Sequence, residues 1–166
     1  MLTMIRHHDD TYAYEPLTRR WSTPRLDYEQ APAHEKLDLH TRVAAASVRT
    51  AVITGLAAGI LHHIPILNHT NQVVVHLTLP GRQQPPPRSQ WENSILRYRY
   101  AVLPDTDICI IGGNRVTTLA RTFTDICTIN GELEGLAFLE AALHMGHSKQ
   151  EFQAYIDRND HRWGMA

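Results

Sequence analysis

The stretch Arg115-Val-Thr-Thr-Leu-Ala-Arg-Thr-Phe-Thr-Asp-Ile-Cys127 places a short strand directly before a helix that carries two opposite charges. Arg121 and Asp125 are four residues apart, so on a helix they share a face and can form an ion pair. Thr117 or Thr118 is placed to cap this helix, because a threonine hydroxyl can accept hydrogen bonds from the free N–H groups of the first turn. The stretch therefore predicts a strand-to-helix junction.

Around this pair, apolar residues recur at helical spacing, and Thr122 and Thr124 fall nearer the polar side. The simplest interpretation is a capped, half-buried helix with one structural ion pair. The alternative is that charges held in this way mark a functional site, because perturbed charges cluster there. We take Thr118, Arg121, Thr122 and Asp125 as a motif that is either structural or part of a binding site.

On either side of the junction, hydrophobic periodicity predicts helices and short strands that do not alternate in a regular βαβ order. The fold class is therefore predicted to be α+β, a small mixed sheet of four to five strands with helices packed against it. The predicted helices cover residues 32–49, 55–62, 131–145 and a last segment from Ser148; the predicted strands cover 51–54, 72–79, 94–103, 107–111 and 115–117.

Composition places the chain among ordinary globular proteins, with 43% hydrophobic and 20% charged residues. A formal net charge of −1 gives no long-range attraction for nucleic acid. No apolar run is long enough to span a membrane, and the first residues lack the apolar core of a signal peptide, so we expect a cytoplasmic protein without a membrane partner. Cys109 and Cys127 lie in apolar surroundings and are expected to be buried thiols.

The sequence contains no established catalytic motif. There is no nucleotide-binding glycine pattern, and the histidine pairs lack the spacing of a metal site, so we expect neither a cofactor nor a metal. One enzymatic alternative stays open. Asp105, Asp107 and Asp125 could hold a divalent metal in a nuclease-like or nucleotidyl-transfer-like site.

Several segments together resemble the AbiEi-like antitoxin family of type IV toxin–antitoxin systems, in its actinobacterial form. They are an alanine-rich helix, the segment from Val52 to Pro65, a Val-His-Leu-Thr strand at 75–78, and the Arg-Thr-x-x-Asp segment at 121–125. The resemblance covers about residues 35–158. It departs from the family pattern at three positions: Gly55 replaces His, Ala57 replaces Ser and His63 replaces Gly.

The resemblance implies a core antitoxin-type domain over residues 31–160, preceded by an irregular segment or remnant wing at 1–30 and followed by a tail at 161–166. Family members commonly begin with a complete winged helix-turn-helix, and many carry a C-terminal nuclease domain; we expect neither here. The implied function is non-enzymatic binding of a macromolecule, either operator DNA or a cognate toxin.

Five arginines are the candidate contacts to such a partner, because a planar guanidinium suits phosphate and carboxylate groups. They are Arg19, Arg20, Arg97, Arg99 and Arg115. A third possibility is a protein interaction module. In that case the small residues of the helix at 55–62 would let two copies pack closely as a homodimer.

Overall fold

A computed structural model describes residues 1–7, 10, 12–81, 83–87 and 94–159. The strands are β1 (Ile5–Arg6), β2 (Tyr14–Pro16), β3 (Trp21–Pro24), β4 (Val52–Thr54), β5 (Val75–Thr78), β6 (Leu96–Arg99), β7 (Ile108–Ile111) and β8 (Asn114–Thr117). The helices are α1 (Arg25–Gln30), α2 (Ala33–Ser47), α3 (Leu56–Leu61), α4 (Leu119–Asn130), α5 (Glu132–His144) and α6 (Lys149–Asn159). A 3₁₀ turn at Asp105–Asp107 precedes β7.

The larger sheet has the strand order β6-β5-β4-β8-β7. Pairs β5–β6 and β4–β8 are parallel, whereas β4–β5 and β7–β8 are antiparallel. The predicted class is confirmed: the protein is a mixed α+β fold with a five-stranded sheet. The strands are shorter than the sequence predicts, because the apolar runs at 72–79 and 94–103 continue past the paired residues into loops.

Side chains alternate between the two faces of a strand, so the register assigns each residue to a face. One face carries Ile53, Leu77 and Val116, which are buried in the main hydrophobic core with helices such as α2, α3 and α5. We call the opposite side the polar face. It carries two rows that run across the sheet from β6 to β7: Arg97, His76, Thr54, Thr117 and Ile108; then Arg99, Thr78, Val52, Arg115 and Ile110.

Strands β1, β3 and β2 form a separate three-stranded antiparallel sheet. The sequence predicts only an irregular segment or a remnant wing for this region. Leu17 belongs to a second core cluster with Leu2, Leu39 and Val43, and Ile95 packs against it. The N-terminal sheet is thus anchored to α2 and lies beside the start of β6.

The small residues of helix α3 are not available for contact with a second copy of the chain. Residues 56–59 are buried within the chain, and a Cβ built on Gly59 would lie 3.0 Å from the ring of Phe138. The predicted homodimer contact through 55–62 is therefore wrong, because the same close approach is made within one chain.

Both cysteines are free thiols, as expected, but each is half-buried where the sequence predicts a buried side chain. Cys109 lies on the edge strand β7, and Cys127 lies on α4 against Gly135. Burial raises the pKa of both thiols.

The predicted tail at 161–166, and the last residue of the predicted core at 160, lie outside the described residues. Across the residues that are described, no helix combines the length and the apolar character that a membrane crossing requires.

Candidate functional site

Arg121 lies at the centre of a buried charge network. Its Nε donates to Asp125 Oδ1 at 3.0 Å, which is the ion pair that the four-residue spacing predicts. Its Nη1 donates to Asp107 Oδ2 at 3.3 Å and to the Val102 carbonyl at 3.1 Å. The side chains of Arg121, Asp107 and Asp125 are 7%, 8% and 4% exposed. A single guanidinium therefore neutralises carboxylates from two separate parts of the chain.

Two hydroxyl groups complete the network. Tyr155 of α6 donates to Asp107 Oδ2 at 2.8 Å, and Thr54 of β4 donates to Asp125 Oδ2. Burial, followed by the hydrogen bond to Asp107, raises the pKa of Tyr155 above its ordinary value. Burial alone would lower the pKa of Arg121, but Asp125 and Tyr155 hold it above the ordinary value. Arg121 is therefore charged and Tyr155 neutral at pH 7. The network joins α4, α6, β4 and the 3₁₀ turn.

This arrangement bears on the enzymatic alternative. Asp107 and Asp125 both face the Arg121 guanidinium, while Asp105 is exposed outside the network. Within the described residues, no group of three His, Cys, Asp or Glu side chains is placed to hold a metal ion. The Arg121 guanidinium therefore occupies the position between Asp107 and Asp125 that the enzymatic alternative assigns to a metal ion.

The two threonines of the motif do not act as predicted. Thr118 occupies the N-cap position of α4, but its hydroxyl makes no capping hydrogen bond. Thr122 and Thr124 are buried, so their assignment to a polar side is wrong. The hydroxyls of Thr117 and Thr122 instead share a hydrogen bond of 2.7 Å, and Thr122 also donates to the Thr117 carbonyl. The polar face of the sheet therefore meets α4 through hydroxyl groups.

The five predicted contact arginines fall into separate places. Arg19 and Arg20 are exposed at the turn between β2 and β3. Arg97 and Arg99 are half-buried neighbours on the polar face of β6. Arg115 shares the row of Arg99, but three strand spacings separate them, about 14 Å. The structure therefore brings together Arg97 with Arg99, and Arg19 with Arg20, but leaves Arg115 apart.

A histidine that the sequence did not single out lies beside the β6 arginines. Burial first, and then Arg99 and Arg97, lower the pKa of His76 to about 4. Burial also lowers the pKa of Arg99, against the pull of Asp125. His76 is therefore neutral at pH 7, and the positive charge at this end of the sheet comes from the arginines.

Two partners of Arg121 were also missed. The sequence names Asp107 only as a possible metal ligand, and Tyr155 carries no signal, because it is far away in sequence on another helix. His76 and Thr78 could have been found from the alternation of the strand at 75–78, which places both on one face.

Neither family models nor searches of curated proteins and of solved structures gave a match for this chain. The resemblance to the AbiEi-like antitoxins therefore depends on the sequence segments quoted above.

Proposed function

We propose that this chain is a non-enzymatic, antitoxin-type regulator that binds DNA at its own operator. The observation that carries the proposal is the exposed pair Arg19 and Arg20 at the turn of a β-hairpin. A hairpin turn can reach into a groove or along a phosphate backbone, and arginine is well suited to phosphate contacts.

The hairpin is built to hold these arginines in place. Leu17 N and Thr18 N both donate to the Trp21 carbonyl, at 2.9 and 3.1 Å, which closes the turn tightly. The Leu17 side chain is buried in the second core cluster. The Arg6 guanidinium lies 4.7 Å from the centre of the Trp21 ring and adds a third cation to the same small sheet. A rigid basic turn loses little entropy on binding.

The charge of the whole molecule sets the expected character of this binding. With a net charge of −1, the chain cannot coat DNA through a general field. Contacts must come from local clusters such as the hairpin, so we expect few phosphate contacts and a modest dependence of affinity on salt.

The direct test is fluorescence anisotropy with a duplex from the region upstream of the gene and a scrambled duplex, at low and moderate salt. We expect tighter binding to the first that persists as salt rises. The Arg19→Ala/Arg20→Ala pair should weaken binding and reduce the slope of log affinity against log salt by about two. The matched control is Arg49→Ala/Arg158→Ala, which removes two exposed arginines elsewhere. Equal, weak binding to both duplexes would refute operator recognition.

A cognate toxin protein is the second candidate partner, and a different surface favours it. Leu133 and Leu136 on α5 are each 55% exposed, and Met145 just beyond the helix is 50% exposed. Exposed apolar groups of this size on one helix are typical of protein interfaces. Co-purification with the product of the neighbouring gene, lost on Leu133→Ser/Leu136→Ser but kept in the hairpin pair, would support this partner over DNA.

A further inference from the structure

The five-stranded sheet has an open edge at β7. This strand pairs with β8 and with no other strand among the described residues, and none of its four side chains is fully buried. Its sequence, Ile-Cys-Ile-Ile, carries no charge, and Ile110 is 65% exposed. The opposite edge strand, β6, carries Arg97 and Arg99. Charged residues on an edge strand oppose pairing with a further strand, so β7 lacks a protection that β6 has.

The hairpin register shows which backbone groups of β7 face the open edge. The two-residue turn at 112–113 has φ angles of 55° and 81°, so the residues that flank it close the hairpin as a hydrogen-bonded pair. Such pairs recur at every second residue, and Thr118 N donates to the Asp107 carbonyl at 2.9 Å in the same phase. Ile108 and Ile110 therefore direct their N–H and C=O groups away from β8.

Of these two residues, Ile110 alone has both backbone groups free for a partner. Ile108 donates its N–H to the Asp105 carbonyl in the 3₁₀ turn. Neither backbone group of Ile110 has a hydrogen bond within the part of the chain that the structure describes. In an antiparallel two-fold arrangement, Ile110 N–H of each copy donates to the Ile110 carbonyl of the other. The edge is therefore complementary to itself at this residue.

The side chains on both faces are compatible with this register. On the polar face the two Ile110 side chains lie next to each other, and each is flanked by Arg115 of its own copy. The two arginines are then three strand spacings apart, about 14 Å, where salt screens most of their repulsion. On the other face Cys109 lies opposite Ile111 of the second copy, and both residues already pack against the main core. Pairing therefore covers apolar side chains without bringing charges into contact.

We propose that β7 is the interface of an antiparallel homodimer whose two-fold axis passes beside Ile110. The two five-stranded sheets then form one continuous sheet of ten strands. A strand of four residues buries little area, so the dimer is weak, with a dissociation constant of about 10–100 µM. The interface includes neither the basic hairpin nor the exposed leucines of α5, so it does not depend on the proposed binding of DNA or of a toxin.

The test is sedimentation equilibrium of the whole chain under reducing conditions, at concentrations from about 5 to 500 µM. We expect a reversible equilibrium between monomer and dimer. Ile110→Lys should weaken the association by about tenfold or more, because a lysine on an edge strand opposes pairing. Leu26→Lys on α1 is the matched control, because Leu26 is also 65% exposed, and it should leave the equilibrium unchanged.

Three results would overturn the proposal. The first is a monomer across the whole range of concentration. The second is the same dissociation constant in Ile110→Lys and Leu26→Lys, with both variants shown to be folded by thermal unfolding. The third is a dimer that is kept in Ile110→Lys but lost in Leu133→Ser/Leu136→Ser, because the interface would then lie on α5.

A disulfide cross-link tests the register. In a Cys109→Ala/Cys127→Ala chain, Ile110→Cys should cross-link rapidly under a mild oxidant. Opposite residues of a hydrogen-bonded antiparallel pair have Cα atoms about 5.5 Å apart, which is within the range of a disulfide. Leu26→Cys in the same chain should cross-link only at the slow rate of random collision. Equal rates for the two cysteines would contradict a two-fold axis at Ile110.

Discussion

At the scale of single residues, His76 gives the protein a defined response to acid. Its pKa of about 4 in the folded chain lies below the ordinary value of 6.5, because burial and two arginines oppose the charged form. The unfolded chain therefore binds a proton that the folded chain does not bind between these values. Stability from the neutral ring is complete above pH 6.5 and is lost as pH falls towards 4.

We expect the free energy of unfolding to fall by at most about 3 kcal/mol as His76 becomes protonated. Urea unfolding at pH 7 and at pH 4.5 measures it. His76→Gln should show a smaller drop between the two pH values than the natural chain, whereas His34→Gln at an exposed position should show the natural drop. Equal drops in all three proteins would contradict the burial of a neutral His76.

Arg121 supports the fold through charge. Arg121→Ala leaves Asp107 and Asp125 buried without their cation, which should lower the free energy of unfolding by roughly 3–5 kcal/mol. Thermal and urea unfolding measure the change. Adding Asp125→Asn should cost less than the sum of the two single changes, because they share one interaction. Simple additivity would mean that the ion pair contributes little.

Sequence reasoning found the part of this network that is local. Arg121 and Asp125 are four residues apart on one helix, so spacing alone predicts their contact. Asp107 and Tyr155 join it through tertiary packing, across 14 and 34 residues, and no helical or strand period connects them to Arg121. The capping role of Thr118 failed because capping needs a hydroxyl geometry that residue type does not determine.

At the scale of elements, Glu134 of α5 fixes a turn that precedes β5. The carboxylate is 1% exposed and accepts hydrogen bonds from Asn68 N at 3.0 Å, from His69 N, and from His69 Nδ1 at 2.7 Å. Asn68 has a positive φ of 49°, so the turn needs such support.

Glu134→Gln replaces one accepting oxygen by an N–H group that cannot pair with the turn. We expect a loss of about 1–3 kcal/mol in the free energy of unfolding, measured by urea titration. Glu132→Gln, at an exposed position two residues earlier, is the matched control and should change it little. Similar values for the two variants would show that the turn does not need the carboxylate.

Helices α4 and α5 approach closely at Gly135. A Cβ built there would lie 2.1 Å from Cys127 Sγ and 3.3 Å from Cys127 Cβ, so a rotation of the thiol relieves the larger clash and leaves a tight contact with Cβ. Gly135→Ala should therefore lower the melting temperature, at a cost of about 1–3 kcal/mol. Adding Cys127→Ala to Gly135→Ala should restore much of the lost melting temperature. If the double variant melts no higher than Gly135→Ala, the contact with Cys127 is not the cause of the destabilisation.

Helices were easier to predict than strands. The periodic segments at 32–49 and 131–145 correspond to α2 and α5 within three residues at each end, because their apolar spacing continues for several turns. The N-terminal sheet was missed as a sheet, since β1, β2 and β3 have two to four residues each and show no alternation long enough to detect. Strands of this length exist through pairing with distant residues.

At the scale of the whole molecule, the arginines divide into two kinds. Arg121 is buried and holds the fold together, whereas Arg19 and Arg20 are exposed at the hairpin turn, and the half-buried pair on β6 lies on the polar face. The second core cluster connects these surfaces, because Leu17 of the hairpin and Ile95, two residues before Arg97, both pack in it. The fold thus keeps the structural cation inside and leaves the two hairpin arginines at the surface.

The most direct test of this division measures melting temperature and anisotropy with the upstream duplex for Arg121→Ala and for Arg19→Ala/Arg20→Ala. We predict that Arg121→Ala melts at a lower temperature but binds the duplex normally while it is folded. The hairpin pair should melt like the natural chain and bind the duplex more weakly. Lost binding in Arg121→Ala with an unchanged melting temperature, or full binding in the hairpin pair, would contradict the account.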